Sequence, residues 1–169
     1  TTEIYTLSLH DALPIYVQDY AHLLADDSAY AGKAKKLVSL LRDPLQIVLQ
    51  EPTERLRVRP RAARVAVHTP CTLQHALKLN GATERLLQTL GYQLSAVSEG
   101  HLCCGSAGTY SILQPTISKQ LRQRKLHALK ADHPDLIVSA NIGCLMHLGE
   151  ADGIPVKHWL NVVAEDLQD

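Results

Sequence analysis

The stretch VAVHTPCTLQHALKL, Val65–Leu79, joins a short β-rich run to a helical pattern. VAVH is rich in β-branched residues, which favour strands, and Pro70 ends the run because proline has no N–H to donate to a neighbouring strand. A helical pattern follows at 73–79 and resumes at 82–90, after the break at Asn80-Gly81. A strand, a turn and a helix in this order are typical of one unit of an α/β fold.

The same order repeats towards the C-terminal end of the chain. We expect four strands, at 65–68, 92–97, 135–140 and 154–158. Further helical patterns occur at 115–131, 141–151 and 158–167. Strands that alternate with helices imply right-handed crossovers and a mostly parallel sheet. We therefore predict an α/β fold with a small Rossmann-like parallel sheet of about four strands, flanked by helices.

All four cysteines follow the ends of predicted strands. Cys71 comes three residues after the first strand, Cys103 and Cys104 lie in the loop after the second, and Cys144 comes four residues after the third. Functional groups of an open α/β sheet gather beyond the carboxyl ends of its strands. We therefore expect the four thiols to lie at one edge of the sheet.

A cysteine by itself is most simply a small buried apolar residue. Four cysteines at one sheet edge favour a metal ion or an iron–sulfur cluster instead, and the absence of a secretory signal implies a reducing compartment. The adjacent pair Cys103-Cys104 is hard to join in a disulfide. Gly105 and Gly108 permit close approach of the backbone to a cofactor. A helix that begins near Ser106 would direct its N–H groups at anionic sulfur.

His147 is the candidate nitrogen ligand. It follows Cys144 by three residues on a predicted helix, so the two side chains share a face. The alternative is a histidine that pairs with a carbonyl group or only lines the pocket. For His68, His75 and His101 we favour structural roles, since they respectively close a strand, lie on a helix and orient a loop.

Composition excludes several classes of function. The chain has no net charge at pH 7, which gives no electrostatic case for binding nucleic acid or an anionic membrane. It contains six Tyr, one Trp and no Phe, too few aromatic residues for a surface on which bases stack. No apolar run approaches the roughly eighteen residues that span a bilayer. No acid–base pair stands out, so we predict no catalytic residue.

The segment before residue 65 divides into three parts. Residues 1–15, TTEIYTLSLHDALPI, match a translated sequencing adapter residue for residue, so we interpret them as not native. Residues 16–60 combine helical patterns at 16–25, 30–41 and 44–50 with a basic, proline-containing linker, and Asp43-Pro44 predicts an N-cap followed by the first helical residue. Residues 61–169 form the cysteine-rich domain.

Four motifs carry a resemblance to a known family: CTLQHALKLNG at 71–81, HLCCGSAGTY at 101–110, ANIGCLMHL at 140–148 and VKHWLNVV at 156–163. They resemble the C-terminal region of glycolate oxidase iron–sulfur subunits, whose CCG domain recurs in lactate-utilisation proteins, heterodisulfide reductases and anaerobic glycerol-3-phosphate dehydrogenases. The family pattern is Cys, Cys-Cys-Gly and Cys-x-x-Cys, with long spacers between them. This chain has spacers of 31 and 39 residues, and His147 replaces the last cysteine.

The resemblance implies an oxidoreductase subunit that passes electrons from a flavin subunit, which oxidises glycolate to glyoxylate, to a membrane acceptor. It implies Cys71, Cys103, Cys104, Cys144 and His147 as metal ligands, for an iron–sulfur cluster or for zinc. The parent proteins carry 4Fe–4S clusters, FAD lies on a partner flavoprotein, and the complex lies in the cytoplasm at the inner face of the membrane. Residues 16–60 then represent the helical tail of an upstream CCG domain, and the chain is an inactive fragment. The alternatives are a related oxidoreductase and a structural zinc or interaction module.

Overall fold

The computed structural model describes residues 15–62, 64–149 and 151–168. The chain divides into two compact units, Thr1–Glu51 and Pro52–Asp169. The predicted adapter-derived segment lies outside the described residues, except for Ile15. Within the described residues, no helix is long and apolar enough to cross a membrane.

The first unit is helical where the structure describes it. Residues 15–23 form helix α1, followed by α2 at Ala31–Leu40 and α3 at Pro44–Gln50. The predicted cap of α3 is confirmed: the Asp43 carboxylate accepts from the backbone N–H of Leu45 at 2.8 Å, and Gln46 Oε1 accepts from the N–H of Asp43 at 2.9 Å. This reciprocal pairing satisfies two N–H groups that the helix start leaves without an intrahelical partner.

The second unit is built on a parallel sheet. Its strands are β1 at Val65–His68, β2 at Leu136–Ser139 and β3 at Val156–His158, in the order β1-β2-β3. Each residue of β1 and β2 is buried, as expected for strands covered on both faces. His68 pairs with Ser139, and Ser139 pairs with His158, so the three strands end side by side. The predicted α/β class is confirmed.

The predicted strand at 92–97 is reduced to a single parallel bridge between Leu94 and Val65. Val65 N–H donates to the carbonyl of Gln93, and Ser95 N–H donates to the carbonyl of Val65, both at 2.8 Å. The pairing with β1 ends at Ser95, and the N–H of Ala96, which points away from β1, donates to the Asp132 carboxylate. Within the residues that the structure describes, the sheet therefore has three strands and a bridge instead of the expected four strands.

Helices cover the sheet: α4 at Ala82–Thr89, α5 at Tyr110–Leu113, α6 at Pro115–Lys130, α7 at Ile142–Leu148 and α8 at Trp159–Glu165. Two shorter elements complete the unit, a 3-10 turn at Thr53–Arg55 and a π-helical turn at Thr72–Ala76, where the sequence predicts an ordinary helix. The expected helix near Ser106 begins later, at Tyr110.

One cluster of buried residues contains two of the four cysteines. It comprises residues from the sheet, from α6, from α7 and from the segments beside them: Ala66, Cys104, Leu126, Leu129, Ile137, Cys144, Leu148 and Ala151. The thiols of Cys104 and Cys144 therefore lie inside the apolar interior, where water does not compete for them.

Candidate metal centre

The thiols of Cys104 and Cys144 meet inside the core. Cys104 lies in the loop before α5, and Cys144 lies in the first turn of α7. Their Sγ atoms are 3.3 Å apart, and both residues are buried. Two thiolates that share a zinc ion lie roughly 4 Å apart, since each bond is about 2.3 Å and the geometry is tetrahedral. If the distance between the two Sγ atoms increased by less than about 1 Å, a metal ion could bind between them.

Backbone N–H groups of the Cys-Cys-Gly loop point at sulfur. The N–H of Gly105 donates to Cys103 Sγ at 3.3 Å, and the N–H of Ser106 donates to the Cys104 thiol. These donors belong to a loop, because α5 begins only at Tyr110. The prediction that the N–H groups of a helix start near Ser106 point at sulfur is therefore wrong. Positive φ angles at Gly105 (+93°) and Ala107 (+39°) turn the loop, as in backbone nests that bind anions.

The two adjacent thiols hold their protons in the absence of a metal. The hydrogen bond to Cys104, followed by burial, raises the pKa of Cys103. For Cys104, the hydrogen bond from Cys103 lowers the pKa, but the hydrogen bond to Cys144 and burial outweigh it and raise the pKa to about 12. Metal binding would therefore displace protons from these thiols.

His68, at the end of β1, is a site residue for which the sequence favours a structural role. Its side chain is buried, and neither Nδ1 nor Nε2 has a hydrogen-bond partner in the described part of the chain. A nitrogen of His68 and the Sγ atoms of Cys104 and Cys144 all lie within 4.8 Å of one another. Among the described residues, no other group of three potential ligands lies so close.

Burial and charge keep the His68 imidazole neutral. Desolvation, followed by the nearby positive charge of Lys125, lowers its pKa to about 3. A neutral imidazole is the form that binds metal ions. The sequence did contain a signal for His68, because it lies at the carboxyl end of a parallel strand, where functional groups of an open α/β sheet gather.

Lys125, on α6, is a buried cation beside the thiols that the sequence did not reveal. Its side chain is fully buried, and Nζ donates to the backbone carbonyls of Glu99 at 3.2 Å and Gly100 at 3.0 Å. Burial lowers the pKa of Lys125, whereas negative charge on Cys104 and Cys103 would raise it. A buried ammonium group is stabilised by an anionic neighbour, so Lys125 favours thiolates over thiols at this site.

His147 contacts the Cys-Cys-Gly loop from α7. Its Nε2 lies 3.2 Å from Ser118 Oγ, which donates to the carbonyl of Gly105 at 2.7 Å. Burial lowers the pKa of His147, a hydrogen bond to the backbone of Ser118 raises it, and the Arg122 charge lowers it. His147 is thus close to the loop but outside the group of three, and its role as a ligand stays a prediction.

The remaining predicted site residues are Cys71, Gly105 and Gly108. Cys71 is exposed and precedes the π-helical turn, so it does not join the buried group. At Gly105 a Cβ atom would overlap the carbonyl oxygen of Ser118 and approach His147 Nε2 within 3.2 Å. Gly108 has a φ of +61°. Metal binding by Cys71 and cofactor contact by the two glycines stay predictions.

Comparison with known proteins places these residues in a family. The CCG profile, described as "Cysteine-rich domain", matches residues 65–149, which include the four cysteines, His68, Lys125 and His147. The chain belongs to the CCG cysteine-rich domain family. The resemblance inferred from the motifs is thereby confirmed.

Relatives of this CCG chain include subunits of redox proteins. It is 44% identical over 153 residues to the glycolate oxidase iron-sulfur subunit of Escherichia coli (strain K12), an alignment that covers 90% of this chain and 37% of that protein. It is 32% identical over 155 residues to lactate utilization protein A of Shouchella clausii (strain KSM-K16), covering 86% of this chain and 63% of the relative. A probable glycolate oxidase iron-sulfur subunit of Bacillus subtilis (strain 168) is 29% identical over 147 residues, with 84% and 33% covered. The chain thus spans less than two thirds of each of these relatives.

The residues of the CCG domain fit a metal ion or an iron–sulfur cluster. Thiolate and imidazole are the ligands that zinc and iron–sulfur centres take from proteins. Two thiols converge at 3.3 Å, and a buried imidazole beside them lacks any hydrogen-bond partner among the described residues. The buried ammonium group of Lys125 supplies the positive charge that an anionic centre requires.

Proposed function

We propose that this chain is part of an iron–sulfur subunit of an oxidoreductase, and that its CCG domain holds a cluster through Cys103, Cys104 and Cys144. The observation that carries the proposal is the 3.3 Å approach of Cys104 and Cys144 in the apolar interior. The names of the relatives support the redox role. A bound iron–sulfur cluster supplies one-electron transfer.

The protein's own groups prepare this site in three ways. The thiols would hold a cluster as thiolates, and the N–H groups of Gly105 and Ser106 donate to sulfur. The charge of Lys125 offsets the negative charge that the thiolates bring into the interior. Leu126 and Leu148 are buried in the same cluster as the thiols and exclude water. No described side chain is needed as an acid or a base, because the step is electron transfer.

At the level of the whole protein, we propose glycolate oxidation as the process served. The flavin of a partner flavoprotein subunit would convert glycolate to glyoxylate, and the iron–sulfur subunit would pass the electrons towards a membrane acceptor at the cytoplasmic face. The 44% identity to the E. coli glycolate oxidase iron-sulfur subunit supports glycolate over lactate. The present chain alone is expected not to oxidise glycolate, since it is expected to contain neither the flavin nor the other clusters.

The experiment is metal and sulfide analysis, with electron paramagnetic resonance, on the chain purified without oxygen. We expect iron and inorganic sulfide in the wild type and their loss in Cys104→Ser and Cys144→Ser. Ser139→Ala is the matched control, because Ser139 is a small, fully buried residue at the same strand ends but has no sulfur. Loss of iron in Cys71→Ser or His147→Ala would support these residues as further ligands.

A structural zinc module is the second candidate, and the mixed histidine and cysteine donors favour it. Structural zinc sites commonly combine these two ligand types. Zinc without sulfide, and no paramagnetic signal after reduction, would replace the redox proposal with the structural one. The absence of any bound metal after reconstitution would contradict both.

A further inference from the structure

No side-chain hydrogen bond among the described residues accounts for the burial of His68. Its side chain is 2% exposed, and both ring nitrogens lack hydrogen-bond partners within the described residues. Burying a polar group without a partner costs free energy, and such a group in a native structure calls for an explanation such as an ion. The other three residues of β1, Val65, Ala66 and Val67, are buried aliphatic residues, so His68 is the one residue of the strand with polar side-chain atoms.

Other buried polar atoms also lack partners, but they differ from His68 in what surrounds them. The others are Thr83 Oγ1, Glu84 Oε2, Ser95 Oγ and Ser139 Oγ. Of these residues, only His68 lies in a described cluster with two other potential metal ligands. Its nitrogen lies within 4.8 Å of both Cys104 Sγ and Cys144 Sγ. Ligands of one tetrahedral zinc ion lie roughly 3.5 to 4 Å apart, so a small contraction on the His68 side would bring all three to one ion.

The backbone holds His68 in this position. β1 is paired with β2 on one side, where His68 lies opposite Ser139, and with the bridge at Leu94 on the other. Just after His68, the Thr69 hydroxyl donates to Glu84 at 2.7 Å and the Thr69 carbonyl accepts from Gln74 at 2.6 Å. A ligand on a rigid strand end is oriented before the metal arrives.

We propose that His68 is a nitrogen ligand of the metal ion or cluster held by Cys104 and Cys144, which makes the centre a mixed nitrogen–sulfur site. This rests on the proposed function and adds a ligand outside the cysteine pattern of the family. A neutral imidazole in place of a thiolate leaves the centre less negative. In an iron–sulfur centre, such a replacement raises the reduction potential.

The test uses Co²⁺ as the probe, added to the metal-free chain, with electron–nuclear double resonance to detect nitrogen bound to the ion. We expect nitrogen coupling in the wild type, with a changed splitting when histidine carries the heavy nitrogen isotope. In His68→Leu we expect the coupling to disappear and Co²⁺ affinity to fall by at least about 100-fold, the upper end of the loss seen for residues that only support ligands. His75→Leu is the matched control, since His75 is nearby and exposed.

A second variant, His68→Cys, distinguishes loss of the nitrogen ligand from a failure of the His68→Leu chain to fold. It should bind Co²⁺ without nitrogen coupling and with stronger sulfur-to-metal charge-transfer absorption, because a thiolate replaces the imidazole. Nitrogen coupling that persists in His68→Leu but vanishes in His147→Leu would overturn the proposal in favour of His147. Wild-type chain that binds Co²⁺ without nitrogen coupling would overturn this inference alone, whereas no Co²⁺ binding at all would overturn the metal site as well.

Discussion

Gly105 shows how closely the Cys-Cys-Gly loop is packed. Its φ of +93° and the overlap of any Cβ with the carbonyl of Ser118 leave room for glycine only. This close contact holds the residue after Cys104 against α6, and so fixes the direction of the thiol. The backbone path of the loop therefore requires the glycine of the motif, and its contact with a cofactor stays a prediction.

Replacement of Gly105 by alanine should destabilise the second unit by at least about 3 kcal/mol, since both backbone strain and overpacking apply. Urea unfolding followed by the fluorescence of Trp159, the only tryptophan, measures the change. Gly153→Ala is the matched control because Gly153 has a similar φ of +85° but nothing within 4 Å of an added Cβ. Equal losses in the two variants would show that strain alone, without the Ser118 contact, accounts for the effect.

Tyr92 ties the bridge segment to the C-terminal end of the chain. Its buried hydroxyl donates to Asp166 Oδ2 at 2.8 Å, and Asp166 also pairs with Arg61 at 3.3 Å. Burial, then the hydrogen bond and charge of Asp166, raises the pKa of Tyr92 above its ordinary value. The folded state therefore retains this proton at a pH at which the unfolded chain loses it.

The sign of the resulting pH dependence follows from proton linkage. The stability due to neutral Tyr92 is complete below the unfolded pKa of about 10 and is lost as pH rises from there towards the raised folded pKa. We expect Tyr92→Phe to lower the free energy of unfolding by about 1.5 to 3 kcal/mol at pH 8. The variant should also lack the loss of stability at alkaline pH, which amounts to up to about 1.4 kcal/mol per pH unit in the wild type. Urea unfolding from pH 8 to 11 measures both. Parallel pH profiles for the two proteins would contradict the assignment.

At the scale of elements, α7 presents Cys144 through its N-terminal cap. The Asn141 side chain accepts from the backbone N–H of Cys144 at 2.9 Å. Asn141 is the second residue after the end of β2, so the cap fixes where the helix starts relative to the sheet edge. The seven-residue helix then carries His147 one turn further along.

Asn141→Ala should therefore destabilise the second unit by about 1 kcal/mol, the usual cost of losing a cap, and should weaken Co²⁺ binding. Asn141→Asp, which keeps a capping oxygen, is the control and should retain most of the stability. Urea unfolding and Co²⁺ titration measure the two effects. If Asn141→Ala loses stability but binds Co²⁺ as before, the cap stabilises α7 without positioning Cys144.

Patterns of periodicity predicted most elements, because a buried strand and an amphipathic helix each leave a repeating signal. The segment 92–97 was predicted as a strand, but its pairing with β1 is limited to the bridge between Leu94 and Val65, a difference that depends on tertiary packing and not on the local pattern. Cys104 and Cys144 were predicted to lie at one sheet edge because parallel strands end together. The same rule could have included His68, which also ends a parallel strand, but its missing hydrogen bonds are visible only in the structure. Lys125 left no signal in the sequence, since its burial beside the thiols depends on tertiary packing.

At the scale of the whole molecule, the two units differ in how many of their large apolar side chains are exposed. In the described part of the first unit, residues 15–51, eight large apolar side chains are exposed: Tyr16, Tyr20, Leu23, Tyr30, Leu37, Leu40, Ile47 and Leu49. The sequence predicts that these helices belong to an upstream domain, and the exposed side chains are compatible with that prediction. The second unit contains the sheet, the buried cluster and each candidate ligand.

The proposed metal site should therefore survive removal of the first unit. We expect a chain of residues 52–169 to fold and to bind Co²⁺ with the stoichiometry and nitrogen coupling of the full chain, since every described contact of the candidate ligands lies within this unit. Circular dichroism, Trp159 fluorescence and Co²⁺ titration measure these properties. An unfolded or metal-free 52–169 chain would show that the first unit is needed for the fold.

A second truncation locates the boundary. The sequence predicts that the domain begins at residue 61, yet the segment before it pairs with the C-terminal end: Val58 bridges Leu167, Arg59 N–H donates to the carbonyl of Asp166 at 2.9 Å, and Gln168 N–H donates to that of Arg57 at 2.8 Å. Each such hydrogen bond contributes about 1 kcal/mol. A chain of residues 61–169 should therefore be a few kcal/mol less stable than 52–169 in urea. It should still bind Co²⁺, because the pairing lies outside the ligand group. Equal stability of the two truncated chains would instead support the predicted start at residue 61.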